Sequence, residues 1–198
     1  MKINFVNSIE PYVGQISKCR HAEVGTKMKY ALDGVMEGGR LYTRGINTCT
    51  SFNIHGKWRN LMGHISPEGF NTRTFAQSFE RLVKDFMDKY GNIQALVFGG
   101  RESSYVDPRC DVSSNEVFAT ICDVLSTKCD IPDKNFASIL GKYSDVKSFD
   151  NMAVLGNTVY LANNEFAKLG LEKANKKEIL NLLSGVYEDV EVPLSLLA

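Results

Sequence analysis

The stretch LYTRGINTCTSFNIHGKWRNLMGHI, residues 41–65, decides what kind of fold this chain makes. Thr48, Thr50, Phe52 and Ile54 alternate with Cys49, Ser51 and Asn53, the two-residue period of a β-strand. His55, Gly56 and Lys57 read as a turn, and Trp58 to Ile65 reads as the returning strand. The segment is therefore expected to be β throughout, with a hairpin centred near residue 56.

Downstream the period changes. Phe75, Phe79, Leu82, Val83, Phe86, Met87 and Tyr90 fall at three- and four-residue spacing, which predicts a helix over residues 72–90. Asn71 or Thr72 would cap its start and Gly91 would end it. Residues 93–98 read as a buried strand closed by Gly99 and Gly100. A polar loop leads to a second helix near 115–128, capped by Ser113 or Ser114, with Val117, Phe118, Ile121, Cys122 and Leu125 inward. A strand is expected over 137–143, a hairpin over 152–162 turning at Gly156 and Asn157, and a last helix over 175–184. Residues 1–40 read as loops and short strands. Trp58 and the aromatic stripe are expected in the core. The order strands, helix, strand, helix, strands, helix predicts an α/β fold: a layered α/β sandwich with a mixed β-sheet core flanked by helices, in one domain over residues 1–198.

Composition narrows the function. Lys plus Arg is 23 and Asp plus Glu is 23, so the formal net charge is zero. Nucleic-acid binding draws on a basic excess, so no nucleic-acid partner is expected. No apolar run reaches the roughly 18 residues needed to span a bilayer, and the opening MKINFVNSIEPYVGQ lacks the apolar core of a signal peptide. No membrane partner is expected. Five cysteines, Cys19, Cys49, Cys110, Cys122 and Cys129, are an odd number at irregular spacing, which suits a reducing compartment better than a disulfide framework. Their spacing forms no zinc pattern, and no metal or other cofactor is expected. Cys19 and His21 are read as a surface accident, and Gly99 to Ser104 as a tight strand exit beside a cleft rather than a phosphate loop.

The chemistry lies in Thr43, Cys49 and His64. A thiol with a pKa of about 8.5 is only a few per cent ionised at neutral pH, and an adjacent imidazole can take its proton and later return it to a leaving group. A third group must hold the imidazole, and a hydroxyl or a backbone carbonyl can do this. A hairpin centred near residue 56 would bring position 49 opposite 63 or 64.

The spacing Thr43-x5-Cys49-x14-His64 resembles that of the CheD-like glutamine deamidases. The likeness is greatest to their toxin branch, which includes the cytotoxic necrotising factor catalytic domain and the stand-alone Burkholderia lethal factor. Val97-Phe98-Gly99-Gly100 followed by a helix is a looser similarity to the chemoreceptor branch. Thr48 stands where these families carry a small residue. The resemblance implies Cys49 as nucleophile, His64 as base and Thr43 as the group orienting His64. Thr48 and Thr50 are candidates for substrate or oxyanion contacts. The implied partner is a protein presenting an exposed glutamine, met by a monomer and, for a toxin or effector, in a host cytosol. A chemoreceptor-type deamidase, another cysteine acyl-transfer enzyme and a non-catalytic α/β binding domain are the alternatives.

Overall fold

The computed structural model describes residues 1–5, 20–21, 34–43, 46, 48–99, 106, 108–140 and 149–163. Cys19, the 100–104 loop, residues 141–143 of the expected strand and the expected helix over 175–184 lie outside the described residues.

Among the described residues two five-stranded mixed sheets form, both built from short strands. One contains β1 (Lys2–Phe5), β2 (Arg20–His21), β4 (Arg40–Thr43), β9 (Phe149–Leu155) and β10 (Thr158–Asn163), in the order β1-β10-β9-β4-β2. The other contains β3 (Val35–Gly38), β5 (Thr50–His55), β6 (Asn60–Ile65), β7 (Gln94–Gly99) and β8 (Phe136–Leu140), in the order β3-β6-β5-β7-β8. The fold is α/β and layered, as the sequence predicts, with two stacked sheets rather than one.

Helix α1 (Thr72–Tyr90) forms over the range its periodicity predicts. Asn71 accepts the Thr74 N–H at 2.9 Å, satisfying an otherwise orphaned donor. Gly91, at φ 74°, closes the other end in a conformation that a Cβ disfavours. Helix α2 (Ser114–Asp123) starts at Ser113, whose hydroxyl accepts the Glu116 N–H at 3.1 Å, and then widens into a π-helical turn, Val124–Lys128.

The β5–β6 hairpin sits in the middle layer, and its alternation sends side chains into two different cores. Phe52, Ile54, Leu61 and Ile65 pack with Phe75, Phe79, Val83 and Ile121 of the helices. Met62, Leu96 and Phe98 pack instead with Leu41, Met152, Val154 and Val159 of the other sheet. Every residue of β6 is therefore buried, including Asn60 and His64.

Polar groups on that second face are held by a network. Asn60 donates to the carbonyls of Gly156 (2.8 Å) and Gly39 (3.3 Å), fastening the hairpin to turns of the other sheet. With its amide nitrogen so used, its Oδ1 accepts from Asn53 at 3.2 Å and from His55 Nδ1 at 3.0 Å. His55 thus lies half-buried at the end of β5 rather than in an exposed turn. We expect Asn60→Ala to lower unfolding free energy by about 2–3 kcal/mol, because several buried groups lose their partner together. Urea denaturation measures this, and an unchanged midpoint would contradict it.

Two expectations are corrected. β6 begins at Asn60, not Trp58, because residues 56–59 form the turn, closed by the Gly56 N–H to Arg59 carbonyl bond at 2.9 Å. Trp58 is consequently not core: it is 59% exposed at the hairpin tip, edge-on to Tyr90 with ring centroids 6.1 Å apart.

Candidate active site

The longer turn changes the register. Ser51 pairs with His64 and Thr50 with Ile65. Continuing by one pair sets Cys49 opposite Ser66, not opposite residue 63 or 64. Against the expected pairing of 49 with 63 or 64 the slip is three or two residues, and only the slip from 64 preserves the face. Cys49, Ser51, His64 and Ser66 share the side of the hairpin turned toward the other sheet, and Cys49 packs against the core between the sheets. Cys49 and His64 are diagonal neighbours, a separation of about 7 Å between strand positions that side chains of their length span.

Thr43 comes from the facing sheet. It ends β4, two residues after Leu41 and paired with Met152. Its Oγ1 lies 2.7 Å from His64 Nδ1, and both residues are almost fully buried. With the ring proton on Nδ1, the imidazole donates to Thr43 and Nε2 is left basic. The His64 backbone is fixed as well, by its N–H to the Gly34 carbonyl at 3.0 Å.

The segment bearing Cys49 is braced on three sides. Ser114, at the start of α2, donates its hydroxyl to the Thr48 carbonyl. Ile46 is buried beneath it. Gly99 closes in from β7: an added Cβ would lie 2.8 Å from the Cys49 carbonyl oxygen and 2.6 Å from Ile46, and its φ of 100° independently favours glycine. The glycine at this strand exit does border the site, as the sequence suggests.

Thr48 and Thr50 part company. The Thr48 side chain is exposed and hydrogen-bonds toward the Cys49 thiol. Thr50 faces the helix layer with Phe52, fully buried, and its Oγ1 finds no hydrogen-bond partner among the described residues. Strand alternation turns it away from Cys49, so its side chain is not an oxyanion donor. Sequence reasoning missed Ser66 and Ser114. Ser66 was findable, because it lies two residues beyond His64 and so on the same strand face.

Burial pushes the Cys49 thiol from an ordinary 9.0 up to about 11, while hydrogen bonds from Ser66 and Thr48 pull it down and Cys110 pushes it up. Burial therefore favours the protonated thiol, from which an imidazole must take the proton. Cys122 is raised to about 12 and Cys129 to about 11, again through burial. These groups bind protons more tightly folded than unfolded. Their contribution to stability is fully present below pH 9.0 and is lost as pH rises through about 11 to 12. Urea-derived stability should therefore fall steeply above pH 9.0. Cys122→Ala should lessen that slope by up to about 1.4 kcal/mol per pH unit. An equal slope in both proteins would rule out Cys122 as a contributor.

A groove of about 650 Å³ opens at the far end of β5, bordered by His55, Lys57, Gln94, Asp130 and Lys134. Cys49, His64 and Thr43 are not among its lining residues. Among the described residues Cys49, Cys122 and Cys129 form no disulfide, and no helix is long and apolar enough to cross a membrane.

No family model matches the sequence, and no curated protein matches it. Among solved structures, the chain is similar to the crystal structure of the Bacillus licheniformis hypothetical protein YfiH, with 10% sequence identity and a TM-score of 0.34. The likeness covers 69% of this chain and 62% of that one, so the chain spans a little under two thirds of the structure it matches.

Proposed function

We propose that this chain is a protein glutamine deamidase of the CheD-like type, closest in kind to the toxin branch. The observation that carries this reading is the buried Thr43–His64 hydrogen bond of 2.7 Å, which holds an imidazole on the strand face that also bears Cys49. The family spacing supports it.

Because the thiol is protonated at rest, His64 acts as a base within the attack itself. Its Nε2 takes the proton from Sγ as the sulfur bonds to the glutamine carboxamide carbon, and the carbonyl π electrons move to oxygen. Backbone N–H groups near Cys49 stabilise that oxyanion. When the intermediate collapses, the C–N bond breaks, and the imidazolium gives its proton to the leaving nitrogen, which departs as ammonia. A thioester remains. Water, deprotonated by His64, attacks it, and the departing sulfur recovers a proton. Glutamine and water become glutamate and ammonia, and the chain is unchanged. No metal or organic cofactor enters these steps. The partner is a protein with an exposed glutamine, in the toxin branch one in a host cytosol. An amine in place of water would give transglutamination.

The raised Cys49 thiol favours a second reading, a non-catalytic α/β binding domain with a structural cysteine. One experiment separates the two. The native protein and Cys49→Ala are incubated with bacterial and host-cell protein extracts, ammonia is followed, and partner masses are read. Ammonia from the native form alone, with an amide converted to an acid and no chain cleavage, supports the deamidase. Equal ammonia from both forms in every extract would sink it.

A further inference from the structure

We propose that Ser66 is a further catalytic residue of this site: its hydroxyl donates to the Cys49 sulfur and steadies the negative charge that forms there as the proton leaves. This rests on Cys49 being the nucleophile.

The hairpin sets the geometry. The pairs run from His55↔Asn60 to Thr50↔Ile65, and Cys49 and Ser66 are the next residues on the two strands. Direct cross-strand neighbours have Cβ atoms about 5 Å apart, within hydroxyl-to-thiol reach. Alternation puts Ser66 on the His64 face, so base and hydroxyl approach the sulfur from the same strand. Ser66 is only 7% exposed, which limits competition from water. Its oxygen accepts the Glu68 N–H at 3.1 Å, which fixes the rotamer and leaves the hydroxyl proton to be given. Thr48 is the other hydroxyl on the thiol, but it is exposed, so water weakens its hold.

A donor here answers the main difficulty of the site. Burial opposes thiolate formation, and the Ser66 bond is the foremost influence acting the other way. A hydrogen bond to an ionised acceptor is roughly twice as strong as a neutral one, so the contact tightens as charge develops on sulfur. Among the described residues, His64 shares the strand face of the thiol, and Cys110, in the loop before α2, acts on it electrostatically. Asp111, next along that loop, is engaged with the Gly69 N–H at 2.7 Å.

The test needs no substrate. Iodoacetamide alkylation at Cys49 is followed by peptide mass between pH 7 and 9 in the native protein, Ser66→Ala and Ser66→Thr. Without the hydroxyl, alkylation at each pH should slow about three- to tenfold, the loss of thiolate being partly offset by its greater intrinsic reactivity. Ser66→Thr keeps the donor and should stay within about twofold of native. Equal rates in native and Ser66→Ala would overturn the proposal, and so would a Ser66→Thr slowed as much as Ser66→Ala. This readout is separate from deamidation: an absence of ammonia release would end the deamidase reading and leave the alkylation result standing. Where deamidation is found, Ser66→Ala should lower kcat with KM little changed.

Discussion

Replacing Cys49 with alanine is expected to lower the deamidation rate by about 10⁴-fold or more, equivalent to about 5.5 kcal/mol of barrier. The size follows from what remains. The hydroxyls on the same face are already engaged: Ser51 donates to the Gly63 carbonyl at 2.7 Å, and Ser66 accepts the Glu68 N–H at 3.1 Å. No thioester forms without the sulfur, and direct attack of water on a carboxamide is very slow. His64→Ala should cost nearly as much, because a thiol raised to about 11 exposes only on the order of 10⁻⁴ of its population as thiolate at neutral pH. The two losses belong to one step, so the double variant should be no worse than either single one. Single-turnover assays followed by partner mass measure all three. More than about 1% residual activity in Cys49→Ala would place the nucleophile elsewhere.

Gly63→Ala is expected to be the most damaging small substitution for folding, at about 3–5 kcal/mol. Gly63 pairs with Phe52 across the hairpin, and the Phe52 ring lies over it. An added Cβ would sit 2.2 Å and 2.4 Å from two ring carbons. Phe52 has nowhere to go: it is fully buried, and its centroid is 4.7 Å from that of Phe79 on α1. A close-packed interior transmits such an overlap instead of absorbing it. Chemical denaturation of Gly63→Ala against native protein gives the figure. A loss below about 1 kcal/mol would mean that the ring shifts freely. Because Gly63 adjoins His64, a variant that still folds should also lose activity.

Helix α1 was legible to its ends, because its apolar stripe, Asn71 cap and Gly91 stop agree with one another. The two-sheet stacking was not. Strands β5 and β6 alternate polar and apolar residues, the usual mark of one wet face. Here Ser51, Asn53, Asn60 and His64 are as buried as Phe52 and Ile54. Polar residues that find partners inside, as Asn60 does with two carbonyls, imitate solvent-facing ones in sequence. Spacing pointed to Cys49 and His64 on one hairpin, with Thr43 coming from the facing sheet, yet the register was off by two to three residues, because the turn spans 56–59 rather than 55–57. Trp58 was misread through the same turn. The protonated state of Cys49 arises from packing across the sheets, which no local pattern encodes.

The Thr43–His64 bond joins residues from different sheets, and this bears on when the molecule becomes competent during its own assembly. The middle sheet with its helices supplies sulfur and imidazole, but a ring held on one side only can rotate between productive and idle orientations. The strap arrives with β4, whose neighbour β9 comes from the far end of the described chain. In the proposed reaction the alignment therefore waits for contacts of high sequence separation, which close late. A partly assembled chain carries its chemical groups without their alignment, and activity marks the last joining of the layers rather than the first.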